Sequence, residues 1–310
     1  MLTSLIGTFI FVFIATFILT GALDILFRYL GKRRVLGNLF PNVRGGIPRG
    51  VGLIPCIFLS FYMPYPYSVL VVIIGVTAFI DDIMGRRKVK HSSLEWGQLA
   101  RGLGMLGVMF AGFQFDMGLS AILIALIVQP VNISDMQPGS TCIVTMIMSV
   151  VVMVIMLILN CPDFHQIPAL YVPVLIFITC LAYCPLDFAG KIMLGEVGNH
   201  TFAVCLGISF YIIGGLIPTL ILFIVTSVLI AFVRRNTLTV FFEKNLNLYT
   251  PVFCDYLMDV LTGGGLGDFF RKLILRNKQY IVKNPILISL VFRRLLFNPY
   301  ATVNVNHLGN

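Results

Sequence analysis

From Leu2 to Val233 the chain passes from one apolar stretch to the next with only short polar breaks, and nothing restricts its fold more than this. Apolar runs lie at about 3–27, 50–64, 67–81, 98–113, 118–131, 141–160, 168–184, 201–215 and 217–233. A helix needs roughly 20 apolar residues to cross the hydrocarbon core of a bilayer, so the shorter or Gly- and Pro-interrupted runs span only with help from neighbours. With 58% hydrophobic and 11% charged residues, the composition excludes an ordinary soluble domain. The sequence predicts an all-α, polytopic integral membrane protein of about nine transmembrane helices over residues 1–235, followed by a basic, amphipathic cytoplasmic tail at 236–310. The first run has no basic residue ahead of it and is too long for a signal-peptide core, so it reads as a permanent span. The seven cysteines lack zinc-ligand spacing and the density of a secreted disulfide scaffold, and read as small packing residues.

Charge orients these helices. Basic residues follow the first run (Arg28, Lys32, Arg33, Arg34, Arg44, Arg49) and the third (Arg86, Arg87, Lys88, Lys90), precede the eighth (Lys191) and follow the ninth (Arg234, Arg235). The loops between, near 63–67, 113–118, 160–168 and 214–217, contain none. The positive-inside rule makes the basic loops and the tail cytoplasmic and the N-terminus external, in a multi-pass protein of the plasma membrane with an odd number of spans. The net charge of +9 requires no nucleic acid, because an anionic inner leaflet or a phosphorylated substrate attracts the same residues.

Asp81 and Asp82 close the third run, at a helix C-terminus whose partial negative charge disfavours them unless a cation or a reacting proton compensates. Asp135 follows the fifth run and Glu196 precedes the eighth, both on the same predicted side. Four acids from three cytoplasmic loops are thus expected to meet at the membrane surface, where carboxylates can hold Mg²⁺ beside the oxygens of a diphosphate. Arg44, Arg49, Arg86 and Arg87 are expected to bind phosphate oxygens, with simple leaflet contact an equal reading for Arg86 and Arg87.

Several stretches in order resemble the polyprenyl-phosphate N-acetylhexosamine-1-phosphate transferase superfamily, which includes phospho-N-acetylmuramoyl-pentapeptide transferase-like enzymes. Pro41-Asn42-Val43-Arg44 and Ile47-Pro48-Arg49-Gly50-Val51-Gly52 resemble its first cytoplasmic loop, and Phe79 to Gly85 its D-D-x-x-G signature. Gln98 resembles the glutamine near the start of helix four, Asn132-Ile133-Ser134-Asp135 the N-x-x-D after helix five, and Lys191 to Gly198 the K-x-F-L-G-D-x-G stretch. The resemblance covers about residues 35–235 and implies transfer of a sugar-1-phosphate from a UDP-sugar to polyprenyl phosphate, releasing UMP. It implies catalytic roles for Asp81, Asp82 and Asp135, with substrate contacts from Asn132, Arg44, Arg49, Pro48 and Gln98. It also implies Mg²⁺ held by Glu196 and Asp82.

The chain departs from that pattern in places. Glu196 stands for the usual Asp, Asn199 for a Ser or Ala, Met136-Gln137-Pro138-Gly139 lacks a second acid, and the His-rich loop of many bacterial members is absent. The alternative is therefore a catalytically silent relative that binds polyprenyl phosphate or a cytoplasmic partner. A transporter is a third reading, disfavoured because these acids cluster at one face instead of the bilayer midplane. The tail suits amphipathic helices on the inner leaflet, and a second copy or a protein partner is also conceivable there. Its Gly263-Gly264-Gly265-Leu266-Gly267-Asp268 stretch reads as a hinge with Asp268 capping the next helix, and His307 as a solvated tail residue. Asp24 is expected to pair with Arg28. Trp96, Tyr62, Tyr65 and Tyr67 read as interfacial anchors.

Overall fold

The structure, a computed structural model, describes residues 2–43, 45–85, 87, 95–163, 168–246, 248–262, 265–290, 292–298, 301 and 303–308. Arg44, Arg86, Lys88, Lys90, Gly263 and Gly264, named above, lie outside the described residues. The chain divides into two compact units, Met1–Phe223 and Ile224–Asn310, the boundary falling inside a helix instead of after it.

The secondary-structure elements described in the first unit are all helical, including a short 3-10 turn at Gly37–Leu39. The unit comprises α1 (Leu2–Lys32), α2 (Leu53–Tyr62), α3 (Tyr67–Met84), α4 (Trp96–Gln114), α5 (Ser120–Leu126), α6 (Val128–Ser134), α7 (Ser140–Ile158), α8 (Tyr171–Phe188), α9 (Gly195–Gly214) and the start of α10 (Leu216–Leu246). Among the described residues, six helices are long and apolar enough to cross a membrane: α1, α3, α7, α8, α9 and α10. The remaining expected runs fall on α2, which is only ten residues long, on α4, which carries Gln98 and Arg101, and on the broken pair α5–α6. That break has a local cause. Pro130 lacks an N–H, and its ring crowds the carbonyl four residues back, at Leu126, where α5 ends.

α9 is the axis of this unit, packed against α2, α3, α5, α6, α7 and α8. Of its apolar window 78% is buried, against 17% for α1, whose side chains mostly face outward as lipid contact requires. Small residues allow the close approach. A Cβ at Gly207 would lie 3.0 Å from Ile124 Cα, and one at Gly52 would lie 2.6 Å from Gly198 Cα and overlap Leu194 O. Gly52 N also donates to Leu194 O at 3.1 Å, and Met193 N to Pro48 O at 2.8 Å, so the loop before α2 is zipped to the loop before α9.

The helices alternate between two ends. One end gathers residues near 62, 115, 161, 171 and 213: Tyr171 OH donates to Tyr62 O at 2.9 Å, the Tyr65 and Phe115 rings stand 5.7 Å apart, and Cys161 Sγ reaches Ile213 O at 3.9 Å. The other end gathers the acids and arginines of interest. The Asp24–Arg28 pair forms as expected, with Nε to Oδ1 2.8 Å.

The second unit is a folded domain and not only a set of amphipathic helices. After α10 come α11 (Phe253–Thr262), α12 (Gly265–Leu275), α13 (Pro285–Ser289), α14 (Phe292–Leu295) and two parallel strands, β1 (Lys278–Val282) and β2 (Val303–Leu308). Tyr280-Ile281-Val282 and the alternation Val303-Asn304-Val305-Asn306 carry the β-branched, period-two pattern that a strand requires. The domain is tied by Arg293 on Asp255 and by Arg294 Nε on Asp259 Oδ1 at 2.6 Å, and Tyr256 stacks on Phe242 of α10 at 5.6 Å. Asp268 lies inside α12 and not at its cap, because the helix already begins at Gly265.

Gly52→Ala is expected to destabilise the protein by about 1–3 kcal/mol, because backbone on the facing loop occupies the space of the added methyl. Gly102→Ala, at a helical position with nothing within 4 Å, is expected to be neutral or stabilising by up to about 1 kcal/mol. Denaturant or thermal unfolding in detergent separates the two.

Candidate functional site

Asp82 occupies a position that its own helix disfavours, and a second helix compensates it. Its buried carboxylate sits on the N-terminus of α9, accepting from Glu196 N at Oδ1 and from Val197 N at Oδ2, both at 3.0 Å. Arg49 Nε lies 3.0 Å from the same Oδ1. The orphan N–H groups and the positive end of the α9 dipole thus meet a full negative charge. Gly195 permits this fit: its φ is +72°, and a Cβ there would lie 2.6 Å from Asp82 Oδ2 and 2.7 Å from Gly50 N.

Glu196, in the first turn of α9, is gripped from both sides. Arg49 Nη2 is 3.3 Å from Oε1 and Arg101 Nη2 is 2.8 Å from Oε2. The same Arg101 nitrogen is 3.3 Å from Asp81 Oδ2, which joins α3, α4 and α9 in one charged cluster. Asn132, with its amide turned to suit both neighbours, donates to Glu196 Oε2 and accepts from Arg101 Nη1, each at 2.7 Å. One turn along α9, the buried His200 places Nε2 3.1 Å from Glu196 Oε2. Three carboxylates against two guanidinium groups leave a formal charge of −1 when the imidazole is neutral.

Beside this cluster lies a cleft of ≈ 140 Å³ lined by Asp135, Asp187, Pro138, Ile47 and Met193 among others. Asp187, at the C-terminal end of α8, repeats the device seen at Asp82. It is buried and accepts from Gly139 N, at the start of α7, at 3.0 Å, and from Cys142 Sγ at 3.4 Å. Burial pushes the Asp135 carboxyl well above the usual carboxylate range, and the neighbouring Asn199 side chain opposes that shift.

The structure therefore brings together Asp81, Asp82, Glu196, Arg49 and Asn132, with Asp135 lining the adjoining cleft. Gln98 is engaged locally: Glu95 N donates to its Oε1 at 3.4 Å, closing a capping box at the start of α4. Pro48 contributes its carbonyl to the loop pairing described above. Arg87 is exposed, its carbonyl accepting from Trp96 N at 2.9 Å. Sequence reasoning missed Arg101, Asp187 and the contact made by His200. The signal was present, because an ionisable residue within or closing an apolar run is itself a reason to look for a partner.

The donor set does not suit the expected Mg²⁺ as it is arranged. Both oxygens of Asp82 and both of Glu196 face N–H or guanidinium partners, and Asp81 Oδ1 packs on Gly97. Among the described residues, no group of three or more His, Cys, Asp or Glu side chains could hold a metal ion. A divalent ion would have to displace Arg49 or Arg101 to reach these carboxylates.

Asp82→Ala is expected to cost about 3–5 kcal/mol, since it strands Arg49 and the α9 amides. Asp81→Asn keeps an oxygen for Arg101 and is expected to cost no more than about 1.5 kcal/mol. Asp135→Asn removes a carboxyl that burial already disfavours as an anion, so stability at neutral pH is expected to hold or rise. Unfolding midpoints of the three variants in one detergent provide the comparison. Compared with known proteins, the chain matches no family model and no curated protein sequence.

Proposed function

We propose that the charged end of the first unit is a phosphoryl-transfer site. It would move a sugar-1-phosphate, N-acetylhexosamine-1-phosphate in the first instance, from a UDP-sugar to polyprenyl phosphate. The observation that carries this reading is the meeting of Asp81, Asp82, Glu196, Arg49, Arg101 and Asn132 at one end of an apolar helical bundle. An oxygen of the lipid phosphate attacks the sugar-bearing phosphorus, the bond from that phosphorus to the bridging oxygen breaks, and UMP leaves with that oxygen. Arg49 and Arg101 face the phosphate oxygens and offset their growing charge. Asp81, which has one oxygen clear of guanidinium, takes the proton of a monoprotonated lipid phosphate. Asp82 works through α9, as a positioning residue. Asp135 and Asn132 orient the nucleotide in the adjoining cleft. No step is routed through Mg²⁺.

In the membrane this reading places nine spans, with α2 and α4 crossing among longer neighbours and α5–α6 acting as one broken span. The N-terminus is external, and the charged end and the tail face the cytoplasm of the plasma membrane. One observation favours a second reading, a catalytically silent relative that binds polyprenyl phosphate: the carboxylates are already paired with arginines, which leaves a largely compensated cluster.

The test is UMP release by the purified protein with polyprenyl phosphate and a panel of UDP-sugars, in Mg²⁺ and in EDTA. Lipid-dependent release that falls at least about 100-fold in Asp81→Asn and in Glu196→Gln supports the transferase. Absence of release with every sugar, from folded protein that retains the lipid, transfers the assignment to the silent binder.

A further inference from the structure

α12 is turned inside out with respect to an ordinary surface helix. Its Arg271 is buried, donating through Nε to Leu295 O at 3.2 Å and through Nη1 to Thr262 O at 3.1 Å, with Nη2 on Thr262 Oγ1. Three of its apolar residues point outward. Phe270, Leu273 and Ile274, spaced i, i+3, i+4 on one face, are 55%, 64% and 74% exposed. Ile286, in the short α13, and Leu290, just after it and spaced i, i+4, are also open, at 67% and 54%. A helix anchored by its arginine with its apolar face outward needs an apolar phase to cover that face.

Two features of the second unit identify that phase. The first is attachment. α10 has 31 residues, about 46 Å at 1.5 Å per residue, whereas the hydrocarbon core is ~30 Å thick. Its last turns therefore clear the hydrocarbon. There Thr239 Oγ1 and Phe242 hold Tyr256 of α11, at 2.7 Å and by ring stacking, and α11 in turn contacts α12. The second is charge: Arg276, Lys278 and Lys283 are exposed immediately after the apolar face. Exposed apolar side chains followed in the chain by exposed cations, in a unit attached to the end of an apolar helix, match the interface of an anionic leaflet.

We propose that the α12 face of the second unit docks on an anionic lipid surface, with Phe270, Leu273 and Ile274 entering the acyl boundary and Arg276, Lys278 and Lys283 meeting lipid phosphates. The proposal is independent of the chemistry assigned to the first unit.

The test uses the full chain in nanodiscs. With Trp96, the single tryptophan, replaced by Phe, a reporter is introduced by Leu273→Trp and, as a headgroup-level control, by Asn277→Trp. The expected result is a clear loss of emission at position 273 when the acyl chains are brominated, a smaller loss at 277, and a weakened loss at 273 in discs containing phosphatidylglycerol after Arg276→Glu with Lys278→Glu. All five exchanged residues are exposed, so folding is preserved, and size-exclusion elution checks it. Equal quenching at 273 and 277, or none at either, overturns the proposal. So does quenching at 273 that ignores both anionic lipid and charge reversal. A blue shift at 273 that depends on protein concentration, without quenching, assigns the face to a second copy and also overturns it.

Discussion

A negative charge at the end of one helix, seated on the beginning of another, sets the geometry of the charged end of this protein. Asp82 has no favourable interaction with the dipole of α3, yet it satisfies two N–H groups of α9 and holds Arg49. Because α9 is the axis against which six other helices pack, whatever fixes its N-terminus also fixes where Glu196, His200 and the neighbouring loops stand. Glycines make the seat possible. Gly195 admits the carboxylate, and Gly52 with Gly198 lets the loop before α2 lie against the loop before α9. The same arrangement recurs at Asp187 and the start of α7, so each of these acids, near the end of one helix, anchors the beginning of another.

Around that seat the charges are arranged as a chain and not as isolated pairs. Arg49 joins Asp82 to Glu196, and Arg101 joins Glu196 to Asp81. In a partly buried setting a carboxylate without a cation carries a heavy desolvation cost, and a shared guanidinium lowers it for two acids at once. The consequence for function is direct. On the proposed function, a phosphorylated ligand would meet arginines that are already oriented, and a metal ion would meet carboxylates that are already paired.

Much of this was legible in advance. The adjacent acids Asp81-Asp82 at the end of an apolar run signal that something must compensate them, and their grouping with Glu196 and Arg49 follows from which loops share a side, with Asn132 added by the resemblance. Arg101 lies within an apolar helix, one turn inside α4, so no loop pattern marks it. Gln98, a substrate contact by the resemblance, also closes the start of its own helix. The tail was harder still. Its composition signals amphipathic helices, but the direction in which α12 presents its apolar face depends on Arg271 finding Thr262 and Leu295.

The sequence by itself determined that apolar helices dominate the chain, because hydropathy is a property of each segment taken alone. It also determined that acids and arginines recur at the same end of successive runs, because the alternation of runs imposes it. Only the tertiary structure decided which acid anchors a helix and which stays open to chemistry, and whether the carboxylates face cations or a cleft. Those outcomes depend on atoms brought within about 3 Å of one another from segments far apart in the chain, and hydrogen bonds and ion pairs carry no trace in local composition.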